Sequence, residues 1–477
     1  MRSAGLPLGI ADIAPELRMW RRSWGGGRLA PVGWPLFALL IGLPLWWFLG
    51  VTAFIGPLLA LPLVLSLAGS REVLAPSGFG WWVLFLMWTI VTATQLEGAR
   101  DVAAFSYRLI GYLAATAVFL YLINVPSTLL STRTVVRAMA CFWAVVVAGG
   151  MLGVFLPAFS FTTVTEALLP GALLQDPFVQ DMVRASTSSA KAFAAYPIFR
   201  PKAPLPYTNM WASVYALTLP FAFAALTMAR LRRRSWMWLG LIAVSMVPLI
   251  FSLSRGAWLS IAATAVYALF RLLGQGKMRV LVGAVAILLL VGGLVLLTPL
   301  GDIILVRWGA GYSNEGRLNI YMESLHLARV SPLFGFGAPV SVPGLPSAGT
   351  HGQIWTVLVS HGIPGTVLFL GGLFWMAVRS GRALWSGGAR RPTVRFWTHL
   401  VIVVALVQLP FYALLPWGLL IVMVAAGLSW REALRESSVP PQPVPSLGPI
   451  KRWTPPVGAG RLAPAHPSHS RGGGEHL

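Results

Sequence analysis

The sequence predicts an all-α polytopic membrane protein with about twelve transmembrane helices. Three observations predict it. Of the 477 residues, 56% are hydrophobic and only 10% are charged, whereas soluble domains carry roughly 25% charged residues. Mean hydropathy is +0.73. Apolar runs close to the ~20 residues that cross a bilayer recur along most of the chain.

The elements follow in order. The chain opens on a basic, Gly-rich stretch containing RRSWGGGR, and no small-residue cleavage site accompanies the first apolar run. Residues 1–32 therefore read as a cytoplasmic tail. Spans are expected near 33–49 and 51–68, a Pro-rich and tightly joined pair. Two more lie near 79–95 and 103–123, separated by QLEGARD (95–101), and a fifth near 136–157. A long connection, about 158–207, comes next. Spans near 208–228, 236–253, 257–272 and 280–298 precede a second long connection, about 299–352. That connection holds YSNEGRLNIYMESLHLARVSPLFGFG (312–337). From Gly316 it reads as an amphipathic helix ending before Pro332, with Leu318, Tyr321, Leu325 and Ala328 at helical spacing. It is too polar to span and is expected to lie along the outer surface. Spans near 353–377, 397–414 and 416–430 close a membrane domain running over 33–430. Residues 431–477 form a Pro/Gly-rich cytoplasmic tail expected to be disordered.

Net charge is +22, a value that taken alone points to nucleic acid. Its distribution argues otherwise. With the N-terminus inside, the cytoplasmic segments carry 26 of the 36 Lys and Arg but 6 of the 14 Asp and Glu. The excess orients the chain by the positive-inside rule and meets anionic lipid. No nucleic-acid partner is needed. The single Cys141 excludes an internal disulfide framework and a cysteine metal cluster. No D-x-D or H-E-x-x-H pattern occurs, so neither a metal nor a cofactor is expected.

The candidate functional residues collect on the expected outer side, at span ends and in the long connections. Arg255 lies in FSLSRGAWLS (251–260), a short turn between two apolar runs. One reading is an interfacial arginine reaching lipid headgroups. The other is an anion site, because the guanidinium fork matches phosphate oxygens, Ser252 and Ser254 add hydroxyls, and RGAW opens a helix. Arg317 stands at the start of the amphipathic helix, and PLFGFG after it supplies a Gly-rich turn. His351, in THGQIWTVLVSHGIPG (350–365), sits at the mouth of a span, where an imidazole can take a proton from a hydroxyl. His361 is expected to be a packing residue beside a Pro364 kink, and His326 a surface-helix residue. Arg200, Lys202, Asn209 and an interfacial Trp211 close the first long connection. Glu97 and Asp101 would share a face if QLEGARD were helical. Together, several arginines and one histidine in an outward cavity suit a diphosphate-bearing substrate.

The stretches LSRGAWLS, GRLNIYMESLHLARVSPLFGFG, THGQIWTVLVSHGIPGTVLFL and PYTNMWASVYALTLP resemble the O-antigen ligase and polymerase superfamily, over residues 200–370. The resemblance implies a GT-C-like membrane glycosyltransferase of about twelve helices, acting without a metal. It implies a glycan donor on undecaprenyl diphosphate, and a glycan, lipid or protein acceptor, at the outer face of the bacterial inner membrane. On that resemblance Arg255 and Arg317 contact the carrier diphosphate and His351 activates the acceptor hydroxyl. Arg200 and Asn209 join the substrate-binding set. Two departures stand out: Gly352 follows His351 where Asn is frequent, and Ile320 or Tyr321 stands where Trp is usual. A transporter or flippase for lipid-linked glycans, and a non-catalytic scaffold for envelope assembly, are the competing readings.

Overall fold

A computed structural model describes residues 32–70, 72–192, 197–229, 231–274, 312–340, 349, 351–382 and 394–437. The chain divides into a unit ending at Glu436 and a second one over 437–477. The expected N-terminal tail up to 31, the expected span near 280–298, residues 299–311, 341–348 and 350 of the second long connection, and the tail beyond 437 lie outside the described residues.

The chain is a multi-pass, mostly helical membrane protein. Seven of its described helices are long and apolar enough to cross a bilayer, and two shorter apolar helices, Ile55–Ala68 and Val394–Gln408, accompany them. The first expected span is broken. It consists of α1 (Trp34–Ile41) and α2 (Leu43–Leu49), split at Gly42, with Pro35 and Pro44 in their opening turns, where the missing N–H costs nothing. Then come α3 (Ile55–Ala68), α4 (Gly80–Val91, continued by a 3₁₀ turn Thr92–Gln95), α5 (Ala99–Asn124) and α6 (Thr132–Phe155). Ser131 caps α6, its Oγ accepting from the Thr134 N–H at 3.2 Å.

The first long connection departs from the all-α expectation. It contains three short helices, α7 (Val164–Leu168), α8 (Gly171–Leu174) and α9 (Pro177–Val183), and two small antiparallel sheets. Strand β1 (Ser160–Phe161) pairs with β2 (Ala185–Ser186), and β3 (Ser188–Ala192) with β4 (Pro197–Pro201). A glycine face on α6 seats this connection. A Cβ at Gly149 would lie 2.5 Å from the Ala203 carbonyl oxygen, and one at Gly150 2.3 Å from the Trp211 ring. Small residues let backbones approach this closely inside a membrane, where apolar burial gives no drive for helices to associate.

The remaining helices are α10 (Thr208–Met228), α11 (Arg232–Phe251), α12 (Arg255–Leu273), α13 (Tyr312–Val330), α14 (Gln353–Arg382), α15 (Val394–Gln408) and α16 (Trp417–Ser437). Helix α10 is central and packs on α6, α11, α12 and α15. Trp211, expected at the interface, is instead fully buried on α10. Its Nε1 donates to the Val146 carbonyl at 2.9 Å and its ring stacks on Tyr215. Gln408 ties α15 to α10 and α12 by accepting from Ser213 Oγ at 2.7 Å and reaching Ser260 Oγ at 3.4 Å. Helices α11 and α12 leave Trp236, Met237, Leu259 and Phe270 exposed, as lipid-facing helices do.

Two expectations about helix faces change. Helix α13 starts at Tyr312, earlier than Gly316, and ends before Pro332 as expected. Its buried line is Ile320, Ser324 and Ala328, while Leu318 and Leu325 point outward. In lipid the apolar side of a helix can face out, so amphipathic spacing alone does not say which face packs. Helix α14 breaks at Gly362 (φ 66°) rather than at Pro364. The PLFGFG segment fills that break. Phe336 and Gly337 N–H donate to the Val359 and Ser360 carbonyls at 2.9 and 2.8 Å, and Ile363 N–H donates to Pro332 O at 2.8 Å.

Candidate functional site

The turn between α11 and α12 is held from two sides. Within it, Ser252 Oγ donates to the Leu249 carbonyl at 2.7 Å and accepts from the Ser254 N–H at 3.3 Å. Leu253, between them, has φ 50°, a left-handed conformation rare for a branched side chain. From β4, the buried Arg200 braces the turn. Its Nε donates to the Ser252 carbonyl at 2.6 Å, and its Nη2 to Ser254 Oγ at 3.1 Å and Asn209 Oδ1 at 3.3 Å. Two bonds from a charged donor, itself held by Asn209 of α10, fix a strained loop that its own sequence does not favour. Arg255, the next residue after Ser254, is half-buried and opens α12.

Arg317 approaches from α13. Its guanidinium hydrogen-bonds the Tyr321 hydroxyl one turn on, and its charge reaches Arg255 and Tyr412. Tyr321 Oη donates to the Pro410 carbonyl at 2.9 Å, and its ring stacks on Trp355 with centroids 4.7 Å apart. Burial raises the Tyr321 hydroxyl above the usual phenol range, and Arg317 offsets this only in part. The phenol therefore stays neutral near pH 7, accepting from Arg317 while donating to Pro410. Trp355 Nε1 donates to the same Pro410 oxygen at 3.1 Å.

His351 is half-buried in the bend before α14. The next residue, Gly352, has φ 128°, and a Cβ there would lie 2.5 Å from the Pro410 oxygen. Gln353 then locks the segment. Its N–H donates to the Tyr412 carbonyl at 2.8 Å, its Oε1 accepts from the Leu414 N–H at 2.9 Å, and its Nε2 donates to Tyr112 Oη at 3.0 Å. Tyr412, itself buried, hydrogen-bonds the Ser254 side chain. The loop 409–416 between α15 and α16 is therefore the hub. The charges of Arg200 and Arg317 reach Tyr412, Arg255 lies between Ser254 and Gly256, which both meet Tyr412, Asn209 holds Arg200, and His351 hangs one residue from the Pro410 carbonyl where Tyr321 and Trp355 meet.

Residues 240–370 match the family model for O-antigen ligase. That match places this segment in the O-antigen ligase and polymerase superfamily, the group its motifs resemble. No curated protein matches the chain. Arg255, Arg317, Tyr321, His351 and Trp355 all fall inside the O-antigen ligase segment, whereas Arg200, Asn209 and Tyr412 approach it from outside. The segment's Gly352 also has a physical reason. A side chain at φ 128°, with its Cβ driven into Pro410, has no room in this arrangement of the O-antigen ligase bend.

Other candidates stay apart from this hub. Glu97 is exposed and precedes α5, and Asp101 lies in its first turn, so the two do not share a helix face. His326 is exposed on α13. His361 is buried, as expected of a packing residue, with its Nδ1 2.8 Å from Thr92 Oγ1. Lys202 is buried near Asp181 in the first long connection, and burial lowers its ammonium pKa. Among the described residues no group of three His, Cys, Asp or Glu side chains is placed to hold a metal ion. Sequence reasoning missed Tyr412 and Gln353, whose partners are distant in the chain. It also passed over Arg108, whose signal was present as the single charge in AAFSYRLIGYLAATAVFL (103–120).

One substitution tests the hub without removing any charge. A Cβ at Gly256 would meet the Tyr412 hydroxyl at 2.9 Å and its ring at 3.0 Å. Gly256→Ala is expected to push Tyr412 away from Ser254 and lower turnover by about 10²-fold, as misplacements of ~1 Å do. Glycosyl-transfer rates of the variant and wild type, compared at matched folded yield, check this.

Proposed function

We propose that the protein transfers a glycan from an undecaprenyl-diphosphate carrier to an acceptor hydroxyl at the extracytoplasmic face of the bacterial inner membrane, without a metal. One observation carries the reading: three arginines from separate parts of the chain meet, Arg200 and Arg317 bearing on Tyr412 and Arg317 on Arg255 in the turn that Tyr412 bonds. A leaving diphosphate develops charge that needs fixed cations, and in a water-poor site such stabilisation is often the largest catalytic term. The superfamily match supports the glycosyl-transfer class.

In this mechanism Arg255 and Arg317 hold the diphosphate. The acceptor oxygen attacks the anomeric carbon, its proton passes to His351, and the bond from that carbon to the phosphate oxygen breaks. The electron pair leaves with the carrier diphosphate, whose charge the two guanidiniums neutralise. Arg200, its donors turned to Ser252, Ser254 and Asn209, sets the position of Arg255 and adds positive potential. The Lys and Arg bias puts both termini in the cytoplasm, which leaves the hub outside. The membrane domain spans 33–430, with the two tails flanking it.

The test uses purified full-length protein in lipid, given undecaprenyl-diphosphate-linked glycan and EDTA. Release of free undecaprenyl diphosphate, dependent on an added acceptor, is the expected result. A wild-type protein that binds the donor yet never releases the carrier, whatever acceptor is supplied, sinks the transferase reading and favours lipid-linked glycan transport.

A further inference from the structure

Arg108 lies ten residues into α5, about 14 Å from its first turn. Among the described residues its guanidinium makes one hydrogen bond, from Nη1 to the Ala104 carbonyl of its own helix at 2.8 Å, and no carboxylate pairs with it. Along the helix the nearest carboxylate is Asp101, two turns outward and about 10 Å away. The side chain is half-buried, so its other donors are neither paired nor sealed in the core. An unpaired ionisable residue inside a span is expensive, and such residues mark binding sites by default.

The neighbours define where it points. Tyr112, one turn inward on the same face of α5, is fully buried and bonded to Gln353. The Arg108 charge also reaches His361 on α14, whose buried Nε2 has no partner among the described residues. The guanidinium, bonded back to its own helix at Ala104, thus bears on groups of both α5 and α14. The adjacent hydroxyls are already committed, Tyr112 to Gln353 and Tyr107 to the Ala53 carbonyl at 3.2 Å. This leaves the guanidinium fork as the available donor. Tyr412 feels Arg317 and Arg200, whereas Tyr112 feels Arg108. Gln353, bonded to both tyrosines, separates the two positive regions.

We propose that Arg108 binds a phosphate group carried by a lipid, in a subsite distinct from the Arg255–Arg317 pair and linked to it through Gln353. A planar fork matches phosphate oxygens, and its depth inside a span matches a lipid-anchored group better than a soluble one. The glycosyl-transfer reading enters only in the choice of polyprenyl phosphate as the first probe.

The test measures binding, not turnover, so it stands apart from the transferase assay. Full-length protein in nanodiscs of neutral lipid is titrated with undecaprenyl monophosphate and, separately, with phosphatidylglycerol. Arg108→Gln is expected to weaken one of them at least about tenfold, the scale of one charge-assisted hydrogen bond, while Arg108→Lys, which keeps the charge but loses the planar fork, falls between that variant and wild type. Weakened undecaprenyl monophosphate binding identifies the carrier as the source, and weakened phosphatidylglycerol binding identifies a membrane lipid. Should Arg108→Gln not fold, a photoreactive undecaprenyl monophosphate is expected to label residues 104–112 of the wild type more than photoreactive undecaprenol does. Unchanged affinity for both lipids in folded Arg108→Gln, or equal labelling by charged and uncharged probes, overturns the proposal.

Discussion

Arg255→Ala and Arg317→Ala are each expected to reduce release of the carrier diphosphate by about 10²–10³-fold, the range seen when one preorganised donor to a developing anion is removed. Both arginines belong to one electrostatic unit, since the Arg317 charge bears on Arg255. Two like charges held within mutual reach repel when the site is empty, and a bound diphosphate reverses that penalty. The double variant should therefore fall by much less than the product of the single effects, as interacting residues do. Arg→Lys at either position retains charge but loses the planar fork, so a partial loss is expected. A double-mutant cycle on release rates, with donor binding measured in parallel, checks the claim. Strictly multiplicative effects would show that the two arginines act on separate groups, and would remove the shared diphosphate from the mechanism.

Arg200 is expected to behave differently. Its donors serve the Ser252–Ser254 turn and Asn209. Removing it loosens the loop that presents Arg255, so its loss should lower thermal stability as well as rate, a signature the other two arginines lack. The sequence places all three arginines in one functional class. The difference appears only when strand β4 is seen lying against the turn, a pairing between residues 52 positions apart.

What was legible in the sequence follows from local physics. Helix-length apolar runs, the stop before Pro332 and the short turn at Arg255 all rest on neighbours in the chain. Distant contacts left weaker signals. The small sheets of the first long connection are too short for alternation to show. The outward face of α13 depends on whether lipid or protein covers it. Trp211 reads as interfacial until the Gly150 backbone is seen beneath its ring. Among the site residues, Arg255 and His351 stood out as polar groups at span ends, and Arg317 at the start of an amphipathic helix. Tyr412 and Gln353 carried no such contrast, because their importance lies in what they bond across the bundle.

The bend at His351 gives the second large effect. His351→Ala is expected to lower turnover by about 10²–10⁴-fold, the contribution of a positioned general base, while donor binding changes little. Turnover and donor binding, measured side by side on variant and wild type at matched folded yield, check this. Gly352→Asn tests the same bend through the backbone. The Cβ would stand 2.5 Å from the Pro410 oxygen at a φ of 128°, a conformation that costs a non-glycine residue about 1–3 kcal/mol. The loop must then move, carrying His351 and the Pro410 carbonyl that anchors Tyr321 and Trp355. Gly352→Asn should therefore lose both rate and thermal stability although the imidazole remains, whereas His351→Ala should lose rate with little change in stability. If His351→Ala retains full turnover, the base lies elsewhere, and the exposed carboxylate Glu97 becomes the next group to substitute.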